Sequence, residues 1–137
     1  MALAGAGNPT SGANPAGTSS NLNYVLDRVY AYSGTFASSG SDETTYLEFD
    51  TGTETIVGLF QFCYSQASDD NYIYKVYMND QEILSFHGRR AAGQEEEPAK
   101  SPLYVVIPAY SKMKATCENT SSGSGREQSV AFTGRAY

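Results

Sequence analysis

Asp50, Thr51 and Gly52 form an Asp-Thr-Gly triplet, the arrangement with which aspartic proteases present a catalytic carboxylate. That chemistry needs two carboxylates sharing one proton, so a chain with one triplet would have to act as a homodimer. Such lobes also need a later apolar–Gly segment that runs into a helix, and the Gly134-Arg135 pair has no helix after it. The same triplet is ordinary turn chemistry between the runs TYLEF and TIVGLF, and a turn is its expected role.

The other reactive side chains are few. His87 is the only histidine and the two cysteines, Cys63 and Cys117, lie far apart, too few parts for a zinc site or a Cys–His–Asp set. A serine nucleophile with His87 as base lacks the Gly-x-Ser-x-Gly elbow. Asp69, Asp70, Asn71 and Asp80 offer oxygens in two loops, but calcium takes six to eight and the EF-hand spacing is absent. We therefore expect no catalytic residue, no metal ligand and no cofactor. Both cysteines fall in mid-strand and read as reduced thiols that behave as small hydrophobes. Asn119-Thr120-Ser121 is a formal glycosylation sequon, and with no signal sequence visible it reads as chance.

Partner binding has better candidates. The first charge in the sequence is Asp27, and residues 1–20 are dominated by Ala, Gly, Ser, Pro and Thr. Such a segment cannot bury enough apolar area to offset the entropy of ordering, so it can order only against another surface. The arm, residues 1–22, supplies Leu3, Asn8, Pro9, Asn14, Pro15 and Leu22 as contact residues. The loop HGRRAAGQEEEPAKS sets Arg89 and Arg90 against Glu95, Glu96 and Glu97. Long loops without structure of their own are often functional, and this one reads either as a charged subunit contact or as a solvated loop that pairs internally. Eleven tyrosines and no tryptophan suit protein interfaces, sugar stacking, or simply strands.

The elements that would carry these residues are short and extended. Eight runs are separated by turn residues, at 24–32, 45–49, 55–64, 72–78, 82–86, 103–107, 111–118 and 128–137. They are rich in Tyr, Val, Ile, Thr and Phe, and no helical repeat appears. In Ser111–Glu118, Met113, Ala115 and Cys117 fall on one face and Lys112, Lys114, Thr116 and Glu118 on the other, which predicts a half-buried antiparallel strand. Thr55–Tyr64 is apolar on both faces and predicts cover from a partner sheet and from either the arm or a neighbouring subunit. For the hairpin 72–86, a three-residue loop places Val76 opposite Leu84 and Tyr74 opposite Phe86; a two-residue Asn79-Asp80 turn is the alternative. The fold class expected is all-β: an antiparallel β-sandwich at residues 23–137, a single jelly roll of about eight strands, preceded by the extended arm.

Composition removes further classes. The chain has 137 residues, 15 acidic against 9 basic, and a formal net charge of −6. An acidic chain argues against nucleic-acid binding, which needs a basic stripe, and no apolar run approaches the ~20 residues of a membrane span.

Residues 103–137, LYVVIPAYSKMKATCENTSSGSGREQSVAFTGRAY, with some support from 72–86, resemble the endings of small structural proteins of phages and other double-stranded DNA viruses. Those are single β-sandwich or jelly-roll modules that act as capsid decoration, vertex or spike-base proteins. The resemblance implies a virion location after assembly in the host cytoplasm, with a major capsid protein or other virion proteins as partners. A homo-oligomer, a trimer or pentamer, is expected, without nucleic acid or membrane. The competing expectation is a carbohydrate-binding or receptor-binding sandwich, lectin-like or a fibre head.

Overall fold

Phe49, Phe60 and Phe132 meet at the centre of the molecule, with ring centroids 4.8–6.1 Å apart, and they come from two different sheets. The computed structural model describes residues 22–37, 42–64, 71–89, 102–120 and 127–137. Among these, ten strands and no helix occur: β1 (Asn23–Val25), β2 (Arg28–Tyr32), β3 (Phe36–Ala37), β4 (Thr44–Asp50), β5 (Ile56–Tyr64), β6 (Asn71–Met78), β7 (Gln81–Arg89), β8 (Leu103–Ile107), β9 (Lys112–Asn119) and β10 (Glu127–Ala136). One sheet runs β1-β2-β10-β5-β8, with β3 also on β10; the other runs β4-β9-β6-β7. All pairings are antiparallel. Set the short β1 and β3 aside, and eight principal strands remain, four in each sheet. Their orders are first-eighth-third-sixth and second-seventh-fourth-fifth, the double Greek key of a jelly roll.

Alternation builds the core. Val29 and Ala31 on β2, Ile56, Phe60 and Phe62 on β5, and Val130 and Phe132 on β10 face Leu47 and Phe49 on β4, Tyr72, Tyr74 and Val76 on β6, and Met113, Ala115 and Cys117 on β9, all buried. Aromatic contacts continue across the sandwich from Phe62 to Tyr74 and Phe86, at 5.5 and 5.2 Å. Each such pair contributes roughly 0.5–1.5 kcal/mol beyond burial. Phe132 gains its room from Gly58, where a Cβ would stand 2.5 Å from the ring.

The hairpin of β6 and β7 combines both sequence alternatives. Val76 does stand opposite Leu84, and Tyr74 opposite Phe86. The turn, however, has two residues, Asn79 and Asp80, with φ of 52° and 63°, the left-handed pair of a type I′ turn. The register of the longer loop is restored because Ile83 has no partner between Glu82 and Leu84, a β-bulge. Asn79 also ties the turn to β9: its N–H donates to Lys112 O and its Oδ1 accepts from Lys112 N–H, both at 2.8 Å.

Three boundaries differ from the sequence reading. The run 24–32 is not one strand, because Leu26 takes a φ of 57° and folds the chain into the β1–β2 hairpin, with Val25 opposite Arg28. Leu22, assigned to the arm and its contact set, is buried in this chain's own core rather than exposed on an arm. Phe36 and Ala37 pair with β10 inside what reads as a Ser/Gly loop.

Candidate interaction surface

The two sheets present opposite chemistry to solvent. On the β4-β9-β6-β7 sheet the outward residues form cross-strand ion pairs: Lys112 Nζ to Glu48 Oε1 at 2.9 Å, Lys75 Nζ to Glu118 Oε2 at 3.5 Å and to Glu43 Oε2 at 3.6 Å. Lys114 lies over the Tyr77 ring at 4.7 Å. Glu43 Oε1 accepts from Tyr77 Oη at 2.8 Å and Thr116 Oγ1 at 2.5 Å. Partial burial pushes the Glu43 carboxyl up, but these two hydrogen bonds and the Lys75 charge outweigh it and hold it below the ordinary value. This face is built for water.

The other outward face is not. Val57 stands opposite Val106 and Arg135; Leu59 stands opposite Tyr104 and Thr133; Tyr30 and Tyr32 stand opposite Thr133 and Ala131. Tyr104 is 74% exposed, Val106 60% and Val57 41%. The charges here sit at the ends of the sheet, with Arg28 opposite Arg135 at one end and Glu127 exposed at the other. The Arg135 Nε binds Asp27 Oδ2 at 2.7 Å and its guanidinium lies over Tyr137 at 5.3 Å. Val57, Leu59, Tyr104 and Val106 thus adjoin one another in one apolar patch on this face. A shallow open depression of about 270 Å³ lies on it, lined by Asn23, Tyr30, Tyr32, Ala131 and Thr133 among others.

The sequence identified the second apolar face of β5, and the structure extends it to β8 and β2. Val57 is partly exposed, and among the described residues only the inward face of β5 is covered. Tyr30, Tyr32, Tyr104 and Val106 were not singled out. Their signal was present as outward positions of period-2 runs occupied by Tyr and Val where Lys, Glu or Thr would be usual. Leu3, Asn8, Pro9, Asn14 and Pro15, and Arg90 with Glu95, Glu96 and Glu97, lie outside the described residues. Arg89 ends β7, with its backbone opposite Asn71.

The chemistry-bearing residues are accounted for structurally. Thr51 is buried, and its Oγ1 donates to Pro108 O at 2.9 Å and accepts from Ser111 N–H at 2.8 Å, so the Asp-Thr-Gly triplet ties two loops together. Asp50 is exposed opposite Lys112. His87 is exposed near the end of β7. Asp80 sits in the hairpin turn, and Asp69 and Asp70 lie outside the described residues. Among the described residues no group of three or more His, Cys, Asp or Glu is placed to hold a metal ion. Cys117 is a free buried thiol that donates to Gln128 Oε1 at 3.3 Å; burial pushes its pKa up to about 12. Asn119 of the sequon is buried.

No protein-family profile matches this chain, and no curated protein matches it. Among solved structures, it is similar to the infectious bursal disease virus VP2 subviral particle, at 12% identity over 82% of this chain, with a TM-score of 0.44. It is likewise similar to the structure of infectious bursal disease virus Gx strain, at 12% identity over 83% of this chain, with a TM-score of 0.43. This chain spans about a third of the length of those chains. A likeness of that size does not bear on function.

Proposed function

We propose that this protein is a non-enzymatic structural component of a virion, a decoration, minor capsid or vertex protein. It binds the assembled coat through its N-terminal arm and associates with copies of itself. The observation that carries this reading is the contrast between the two outward faces. One sheet is laced with ion pairs, whereas the other offers Val57, Leu59, Tyr104 and Val106 side by side. A jelly roll whose second sheet expects protein cover suits a module that works in an assembly. The uncharged arm has no charge to desolvate, and its weak contacts would gain strength from many symmetric copies. The resemblance of residues 103–137 to small virion proteins points the same way. Deleting residues 1–20 tests the reading: the body keeps its strand-rich circular dichroism, and the protein loses its place on the particle. Full occupancy by the truncated protein would overturn it.

A second reading has one observation in its favour. Tyr30 and Tyr32 project from the same face of β2 beside Asn23 and Thr133, in the open depression. Rings next to amide and hydroxyl groups suit a sugar, and the fold itself hosts both capsid and lectin functions. Glycan-array binding abolished by Tyr32→Ala would favour this reading over the coat-binding one.

A further inference from the structure

A β-sandwich has four sheet edges, and each exposes unpaired N–H and C=O groups that invite another strand. Three edges here carry a recognised protection. β1 is only three residues long. β4 has a bulge, because Tyr46 has no partner between Thr45 and Leu47. β7 has the bulge at Ile83 and carries Glu82. The fourth edge, β8, has neither device. Its five residues, Leu103 to Ile107, pair in unbroken register with β5 from Phe60 to Ile56. None is charged, and among the described residues nothing pairs with the other side.

The strand is symmetric about its middle. Pro102 and Pro108 bound it at equal distances from Val105. Leu103, Val105 and Ile107 turn toward the core, and Tyr104 and Val106 turn outward. We propose that β8 is the pairing edge for a second copy of this chain, with the two β8 strands antiparallel about a twofold axis through Val105. Leu103 then meets Ile107 of the second copy, and Tyr104 meets Val106 of the second copy. Inward residues meet inward ones, as a continuous sheet requires. A slip of two residues would bring a proline, which has no N–H, into the ladder. A slip of one would turn core residues to solvent. The prolines therefore fix the register without blocking the pairing.

Charge and continuity select a second copy as the occupant. The chain carries −6, and the uncharged segment from Pro102 to Pro108 lets two such molecules meet without setting like charges side by side. The outward stripe of Val57, Leu59, Tyr104 and Val106 continues across the axis onto its own image. Such a contact is isologous and closes at two, unlike the threefold or fivefold ring expected from the sequence. The inference stands on the fold alone and does not depend on the virion reading, because it is tested in solution without particles.

Sedimentation velocity of the full chain from micromolar to several hundred micromolar reads it directly. The wild type shows a concentration-dependent dimer, and Val106→Lys or Tyr104→Lys weakens it at least tenfold. Val25→Lys, an equally outward change on the far edge, leaves it intact. Circular dichroism confirms that each variant is folded. A mixture of Tyr104→Cys and Val106→Cys proteins gives a mixed disulfide dimer in preference to either self-linked one. A wild type that stays monomeric throughout, a dimer indifferent to Val106→Lys, or equal loss with Val25→Lys would overturn the proposal.

Discussion

Thr51 and Ser111 are joined by a hydrogen bond from each backbone N–H to the other residue. Thr51 N–H donates to Ser111 O at 2.8 Å, and Ser111 N–H donates to Thr51 Oγ1 at 2.8 Å. The two loops so joined are 60 residues apart in sequence, and Tyr110 N–H adds a bond to Gly52 O at 2.9 Å. Thr51→Val keeps the shape but strands the Ser111 N–H, and is expected to cost about 1–3 kcal/mol. Thr51→Ser should recover most of this. Urea denaturation of the three proteins provides the comparison.

Cys117 predicts a loss of stability in alkali. Burial raises its pKa to about 12 from an ordinary value of 9.0, so above pH 9 the unfolded chain loses a proton that the folded one keeps. Stability from this group is complete below pH 9 and falls by up to about 1.4 kcal/mol per pH unit above it. Tyrosines and lysines titrate in the same range, so the useful quantity is the difference from Cys117→Ala. The gap in unfolding free energy between pH 8 and pH 10 should be smaller in the variant.

Glu43 works in the opposite direction. Its carboxyl titrates below the ordinary value, so its contribution is present above about pH 4 and is lost as the pH falls through the folded value. Since Glu43 is largely exposed, Glu43→Gln is expected to cost only about 0.5–1 kcal/mol at neutral pH. Thermal melts of the two proteins should draw together as the pH falls through the carboxylate range.

Gly58→Ala tests the packing beneath Phe132. The added methyl would sit 2.5 Å from the Phe132 ring and 2.6 Å from Thr133 O, and a backbone atom cannot yield as a flexible side chain would. A cost of about 1–3 kcal/mol is expected. Pairing it with Phe132→Leu should recover part of that loss if the ring is the main obstacle.

Asp80→Gly should stabilise the protein. Asp80 holds a φ of 63°, which glycine adopts without strain, and Asn-Gly is the preferred pair for this turn. Its 4.0 Å contact with Lys114 is exposed and contributes little. A gain of about 0.5–1 kcal/mol in the urea midpoint series is expected.

Where local rules governed, the sequence was readable. The extent of β8 and the inward face of β9 follow from period-2 patterning; the pairing of Val76 with Leu84 was expected from a three-residue loop, but a two-residue turn and the bulge at Ile83 produce it. Leu26 was not readable, because a left-handed leucine runs against local preference and is held there by long-range bonds around Asp27 and Arg135. The order of strands was equally hidden, since the pairing of β2 with β10 joins residues about a hundred positions apart through contacts that no window spans. The burial of Gln128 was missed because its neighbours, Cys117 among them, come from the opposite sheet. The outward patch of β2, β5 and β8 could be sensed strand by strand, but only the sheet order showed that its parts adjoin.

The position of β10 has a consequence for biosynthesis. The strand that comes last in this sequence lies between β2 and β5, and hydrogen-bonds to both. On a ribosome, β2 and β5 emerge without the neighbour that joins them, and the ring of Phe60 lacks its contact with Phe132 until residues 127–136 have been added. Joining the β1–β2 pair to the β5–β8 pair must then await these residues, and it rests on distant contacts, which slow folding. Throughout that interval the nascent chain exposes open strand edges, so chaperone capacity, more than final stability, should limit the yield of the folded protein.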